Sequence, residues 1–477
     1  MRTRDKLERQ FPSPAPRESL YRLEREMLGQ VAEEDGALSV KERLERLVAA
    51  THQAGAERRR QAQPVEVRRI VSLDEVLEGR RVENERGAFY QVEHRFPLDH
   101  WHGSVSLSRL KVVSPSAFSV LAKGDESLEL DLTRAVFLDT ETTGLSGGSG
   151  TAAFLIGLGY IQDESFVVRQ LFMRDYPEEE AMLHELVTAL GGFESLVTFN
   201  GKSFDLPLLE SRLVLSRLRF ALAELPHFDL LHPARSLWKA RLESCRLTDL
   251  EYVLLDLERD EDVPGELIPS LYFDYLRTRD ASRVFRVFTH NRYDIVSLAA
   301  LTVRASEMLQ EGVSPEHPID DYSLGRLFER AALTERSILH YSRAVESGVS
   351  GKARRRSLRQ LAQQLKRRQQ WEECSSVWKE LTLEDGPEAI EAIEELAKYL
   401  EHRQRDLAGA LDHCRQAISR LEEDVRLPLA FRERWREAFR HRLRRLERLQ
   451  GKRESKIVSK SKGRKPREDG STATDRR

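Results

Sequence analysis

Apolar positions along the chain change their period from segment to segment, and each change predicts a different kind of structure. Near the start, Leu20, Leu23, Met27 and Leu28 take a helical spacing, and Ser39-Val40-Lys41-Glu42 opens a second helical run with a capping box. Between about 70 and 130 the period shortens to that of strands. Phe89, Gln91 and Glu93 alternate with Tyr90 and Val92 behind a turn at Glu85-Arg86-Gly87, and Ser104 to Leu107 is a second short run. From 131 to 312 apolar strands alternate with apolar-periodic helices. Ala135 to Leu138, Thr151 to Ile161, Phe166 to Phe172 and Ser195 to Phe199 read as strands; Glu178 to Leu190, Ser203 to Leu215 and Leu247 to Leu257 read as helices. That alternation predicts an α/β domain with a mixed sheet flanked by helices. Pro315 and Pro318 mark a linker, and from 320 to 450 no strand signal remains. Leu324-Gly325, Phe328, Ser337, Tyr341 and Ala344 sit at the spacing of a tetratricopeptide repeat, echoed from Leu358 and again from Leu396. Stacked helix pairs of that kind form a concave surface that docks a peptide or another domain, so a protein partner is expected there; an ordinary helical bundle is the alternative.

Composition narrows the setting. The length, 477 residues, suits several domains, and the pattern divides it into a charged helical segment (1–69), a small β-rich accessory region (70–130), the α/β domain (131–312), the helical repeats (320–450) and a basic tail (451–477). The tail lacks apolar residues for a core and is expected to be disordered, adding nonspecific affinity for nucleic acid. Over the whole chain 77 Lys and Arg face 79 Asp and Glu, so any attraction for nucleic acid must be local. The three cysteines, Cys245, Cys374 and Cys414, lie far apart with no Cys-x-x-Cys, which fits reduced thiols in the cytoplasm. No apolar run approaches the length of a membrane span, and no apolar stretch follows the first residues as in a secretory signal. His94, Asp99, His100 and His102 cluster in the β-rich region, but no cysteine is near and the spacing fits no usual zinc pattern, so a structural hairpin is the expectation.

The candidate chemistry lies in the α/β domain. The apolar run Ala135-Val136-Phe137-Leu138 breaks off into Asp139-Thr140-Glu141. Residues two apart on a strand share a face, so two carboxylates stand side by side at a strand end, where a divalent ion relieves their repulsion. Downstream, Asn200-Gly201-Lys202-Ser203-Phe204-Asp205 follows another apolar strand, and His290 and Asp294 fall four apart on one helix face. Asp-x-Glu, then Asn-x-x-x-Phe-Asp, then His-x-x-x-Asp resembles the DEDD superfamily of DnaQ-like 3′–5′ exonucleases, with a ribonuclease H-like fold. The wording Thr-Gly-Leu-Ser-Gly-Gly, Phe-Asn-Gly-Lys-Ser-Phe-Asp and His-Asn-x-x-Asp resembles the YprB-type ribonuclease H-like domain.

The resemblance implies two Mg²⁺ or Mn²⁺ ions. Asp139, Glu141 and Asp294 match the ligands of the first, Asp139 bridges to the second, and Asp205 reaches the second. His290 matches the residue that orients or deprotonates the attacking water, although here a His stands at the spacing of the family's Tyr branch; the alternative is that it caps its helix. Asn200 and Lys202 are the candidate substrate contacts, Lys202 pairing with phosphate or else solvated. Asp229 is read as a helix cap rather than a further ligand. Arg235, Lys239, Arg241 and Arg246 around Trp238 form either a phosphate-contacting rim or a solvated helix face. Gly147, Gly148 and Gly150 lack the Lys-Ser/Thr of a P-loop and read as a turn at the substrate mouth. The implied activity is a metal-dependent nuclease acting on single strands or 3′ ends. The alternatives are an RNase H-like scaffold that binds nucleic acid without cutting, and a structure-specific endonuclease.

Overall fold

A computed structural model describes residues 69–122, 127–144, 150–260 and 262–462. The helices expected before residue 69, the glycine-rich turn at 145–149 and the end of the tail (463–477) lie outside the described residues.

The α/β pattern forms one mixed sheet. Its strands are β1 (Gly79–Asn84), β2 (Gly87–Pro97), β5 (Ala135–Thr142), β6 (Ala153–Gln162), β7 (Ser165–Phe172), β8 (Ser195–Thr198) and β9 (His227–Asp229), in the order β1-β2-β7-β6-β5-β8-β9. The two-residue strands β3 (Trp101–His102) and β4 (Val105–Ser106) pair with each other. β5, β8 and β9 are parallel, and β5-β6-β7-β2-β1 is antiparallel throughout. β5 lies between β6 and β8, which explains its unbroken apolar start: both of its faces are covered. On one face Phe137, Val168 and Val197 pack with Ile295 and Leu298 of a long helix. On the other, Val136, Leu138 and Leu196 pack with Met182, Leu183, Leu186 and Leu209. The covering helices are α1 (Glu179–Leu190), α2 (Asp205–Leu215), α3 (Leu231–Trp238), α4 (Ile268–Thr278) and α5 (Phe285–Glu307).

Three expected boundaries move. The β-rich accessory region is not separate: β2 pairs with β7 from Tyr90 to Pro97 and extends the central sheet, while Leu98, Val105, Leu107 and Phe118 join the core under α5. Strand pattern is local, but which edge a strand pairs with is not. The stretch around Pro315 and Pro318 is not a linker between separate cores either. Pro318 is the first residue of α6 (Pro318–Arg330), the helix position where proline costs nothing. Leu324, Leu327 and Phe328 of α6 are buried with Phe118, Leu237 and Leu301, and Arg241 Nη1 meets the buried Asp320 Oδ2 at 3.0 Å. The tail does not begin at 451. The last helix, α12 (Leu429–Lys462), runs on past it, because its Lys, Arg and Glu residues are good helix formers and extending an existing helix is far easier than nucleating one.

Between α6 and α12 lie α7 (Thr334–Glu346), α8 (Gly351–Arg367), α9 (Trp371–Thr382), α10 (Pro387–Tyr399) and α11 (Leu407–Glu423). Small residues stand where helices cross. Ser337 Oγ donates to the Gly325 carbonyl at 2.9 Å, the Cys374 thiol to the Ala362 carbonyl at 3.1 Å, and Ala410 is fully buried. A side chain at Gly325 would approach the Tyr341 ring to 2.6 Å, so the crossing needs glycine. Among the described residues no helix is long and apolar enough to cross a membrane.

Candidate active site

The site forms where β5 ends. Asp139 and Glu141 follow its apolar half, and the β5–β6 register slips between Glu141 and Thr142. Such a bulge bends the strand and re-aims its side chains. Asp139 lies opposite Gly157 of β6, and Gly157 lies opposite Gln170 of β7, so all three stand in one row across the sheet. The Asn291 amide of α5 occupies the space above Gly157. Its Nδ2 donates to Asp139 Oδ2 at 2.8 Å, and its Oδ1 accepts from Gln170 Nε2 at 2.9 Å. A Cβ on residue 157 would come within 2.9 Å of Asn291 Cγ. Gly157→Ala is therefore expected to destabilise the protein by about 1–3 kcal/mol through overpacking. Adding Asn291→Ala should recover some of that loss, because the two changes share one contact. Urea melts of the two single variants and the double variant check it; strictly additive losses would contradict the contact.

α5 supplies the third motif. His290 lies inside the helix, whose N-cap is Val284, so the capping reading of His290 is set aside. His290 Nδ1 donates to Asp262 Oδ1 at 2.7 Å. Its Nε2 then faces Asp294 Oδ2 at 3.5 Å and Glu141 Oε1 at 4.0 Å. Ligand atoms of Glu141, His290 and Asp294 all lie within 4.8 Å of one another, the only such group of three among the described residues. Asp205 starts α2, and its Oδ1 accepts the Thr140 hydroxyl at 2.5 Å, which ties it to the same strand end.

The electrostatics follow from burying several carboxylates together. Burial, then the charges of Asp294 and Asp205, hold the Asp139 carboxyl well above the usual range, against the Asn291 bond. Burial, then Asp139 and Asp294, do the same to Glu141. Burial lifts Asp205 to about 6, against the Thr140 bond. For His290 burial pushes the pKa down, but the Asp262 bond and the charges of Asp294 and Asp262 outweigh it and the net shift is upward. Oxygen donors that cannot all ionise unaided fit a hard divalent ion such as Mg²⁺ or Mn²⁺.

The other expected residues are elsewhere. Asp229 is a clamp: Oδ1 accepts from Leu231 N at 3.1 Å and from Asn200 N at 2.7 Å, and Oδ2 accepts from Lys202 N at 3.1 Å. That holds Asn200 in a left-handed turn, with φ at 68°. Lys202 lines a cavity of about 650 Å³ with Leu206, Glu210 and His227, apart from the carboxylates. His102 is buried with its Nε2 2.7 Å from Ser297 Oγ, and His100 packs on Phe96. Among the basic residues near Trp238, Arg241 is taken by Asp320.

Sequence reasoning missed Asn291, Gly157, Gln170, Glu251, Arg259 and Asp262. For Gly157 a signal existed, since an isolated glycine inside an apolar strand marks a close approach. Asp262 lies in the stretch 260–269, which reads only as a polar loop, and Arg259 falls just before it.

Residues 136–306 match the RNase_H superfamily. The uncharacterized protein YprB of Bacillus subtilis (strain 168) is 33% identical over 336 residues, which is 69% of this chain and 79% of that protein. The family B DNA polymerase of the hyperthermophilic archaeon Pyrobaculum calidifontis superposes with a TM-score of 0.30 at 14% identity, over 53% of this chain and 33% of the polymerase.

Proposed function

We propose, from the premise that this chain belongs to the family of YprB and carries an RNase H-superfamily domain, that it is a divalent-metal-dependent nuclease removing nucleotides from 3′ ends. The observation that carries the reading is the convergence of Asp139 and Glu141 from β5, Asp205 from α2 and Asp294 from α5 at one strand end. Asp139, Glu141 and Asp294 are assigned to one cation, Asp139 and Asp205 to a second. Two bound Mg²⁺ or Mn²⁺ ions supply Lewis acidity and charge for the transition state of phosphodiester hydrolysis.

The chain's own groups do the rest. The bond from His290 Nδ1–H to Asp262 selects the tautomer whose Nε2 lone pair faces Glu141 and Asp294. From there the imidazole accepts a proton from the attacking water. Asn291 holds Asp139 by its Oδ2. Asn200 and Lys202 are assigned to substrate contact, outside the carboxylate cluster. The helices α6–α12 are assigned as a tetratricopeptide-like array that docks a protein partner, and the setting is the cytoplasm.

The test is a panel of end-labelled single- and double-stranded DNA and RNA with Mg²⁺, Mn²⁺ or chelator. A metal-dependent ladder from the 3′ end is expected. Internal cuts would instead make it an endonuclease on the same fold. Tight binding without cutting in either metal would overturn catalysis in favour of a nucleic-acid scaffold.

A further inference from the structure

The loop between the short helix at Leu247–Leu250 and α4 holds a buried arginine that the proposed mechanism has not used. The helix passes at Glu251–Leu255 into a π turn, a rare geometry often found near functional sites. Its first residue, Glu251, is buried to 1% side-chain exposure, and Arg259 to 5%. They form a two-point fork: Arg259 Nε donates to Glu251 Oε2 at 2.7 Å and Nη2 to Oε1 at 2.5 Å. The same guanidinium reaches Asp262 Oδ2 through Nη1 at 3.0 Å and Asp294 Oδ1 through Nη2. Asp294 is thus divided between its two oxygens. Oδ1 belongs to Arg259, and Oδ2 is left on the side of His290 and Glu141.

We infer that Arg259, anchored by Glu251, is a positioning residue that pins Asp294 by one oxygen and so presents the other as a single-oxygen metal ligand. The inference rests on the metal-site reading given above. Lysine cannot replace the guanidinium, because a single ammonium does not span Glu251, Asp262 and Asp294 in one plane. The sign of its effect on metal binding separates this role from a simpler one. As a mere positive charge beside the site, Arg259 repels a divalent ion, and its removal would tighten metal binding. As a positioning residue it keeps Asp294 aimed, and its removal weakens binding despite the more negative site. Outer partners of metal ligands typically contribute about 10–100-fold in metal affinity.

The experiment is calorimetric titration of the full-length chain with Mn²⁺, without nucleic acid. Arg259→Met is expected to weaken Mn²⁺ binding about 10–100-fold, and Arg259→Lys is expected not to restore it. Arg259→Met leaves Glu251 buried without its partner, so the double variant Glu251→Gln/Arg259→Gln, which removes both charges, is titrated beside it. It should show the same loss, and it carries the comparison if the methionine variant does not fold. Mn²⁺ binding that is unchanged or tighter in the folded variants overturns the positioning role while leaving the metal site standing. A wild-type chain that takes up no Mn²⁺ overturns the metal-site reading itself, and this inference with it.

Discussion

Replacing Asp139 with alanine should abolish nuclease activity and, in chelator, raise the melting temperature. The two effects have opposite signs because Asp139 serves function at the expense of stability. It is assigned to both cations, so without it neither is held in place. In the metal-free protein its carboxyl is buried beside Asp294 and Asp205, and its pKa is pushed well up by that burial and those charges. A carboxyl whose pKa is raised on folding binds protons more tightly in the folded state. Its contribution is favourable at low pH and is lost as pH rises through the folded pKa, which for Asp205 is about 6. The metal-free wild type should therefore melt lower at neutral pH than in mild acid, and Asp139→Ala should flatten that dependence. Melting curves in chelator across this range, with turnover measured in Mg²⁺, test both halves. A variant that still cuts near the wild-type rate would sink the metal assignment. One that melts lower than wild type in chelator would contradict the electrostatic account.

His290→Ala should lower turnover by about 10²–10⁴-fold, the usual range for a general acid–base group, with little change in substrate affinity. His290→Tyr should recover some of the rate, since the resemblance places a tyrosine at this spacing in one branch. Stability should respond in a pH-dependent way. The imidazole pKa is raised on folding, against burial, by the Asp262 bond and the charges of Asp294 and Asp262. A base raised in this way stabilises the fold below its unfolded pKa, about 6.5, and that gain fades as pH rises through the folded value. His290→Ala should thus cost more stability in mild acid than in mild base. Because the Nε2 atom also lies with ligand atoms of Glu141 and Asp294, Mn²⁺ titration separates two roles. A large loss of turnover at nearly unchanged Mn²⁺ affinity marks a proton acceptor, and equal losses in both mark a ligand. Normal turnover would remove His290 from the mechanism.

The features of this site written in local spacing were legible. Asp139 and Glu141 stand two apart on a strand, and His290 and Asp294 four apart on a helix. In each case one backbone period decides which side chains share a face. The strands and helices from 135 to 215 were legible for the same reason. What spacing cannot carry is who meets whom across the fold. Arg259 and Asp262 acquire their roles only because their loop closes over α5. Likewise Gln170 matters only because register sets it opposite Gly157. Strand β2 had a strand pattern with no address, and Pro318 signalled a break where it starts a helix. The end of α12 was missed because charge content was read as a lack of core, although a helix already under way needs none to continue.

The burial of Leu324, Leu327 and Phe328 within the α/β core bears on reach. A docking module on a flexible tether explores a volume, and almost any cargo can find the active site at some moment. Here α6 is rooted in the α/β core, so under the proposed docking role a guest held on α7–α12 would be delivered from a set direction. Local concentration at the strand end would then rise only for guests whose own dimensions bridge the span, and others would gain nothing from being held. Under the proposed docking role, the helices would sort guests by length, as a ruler does.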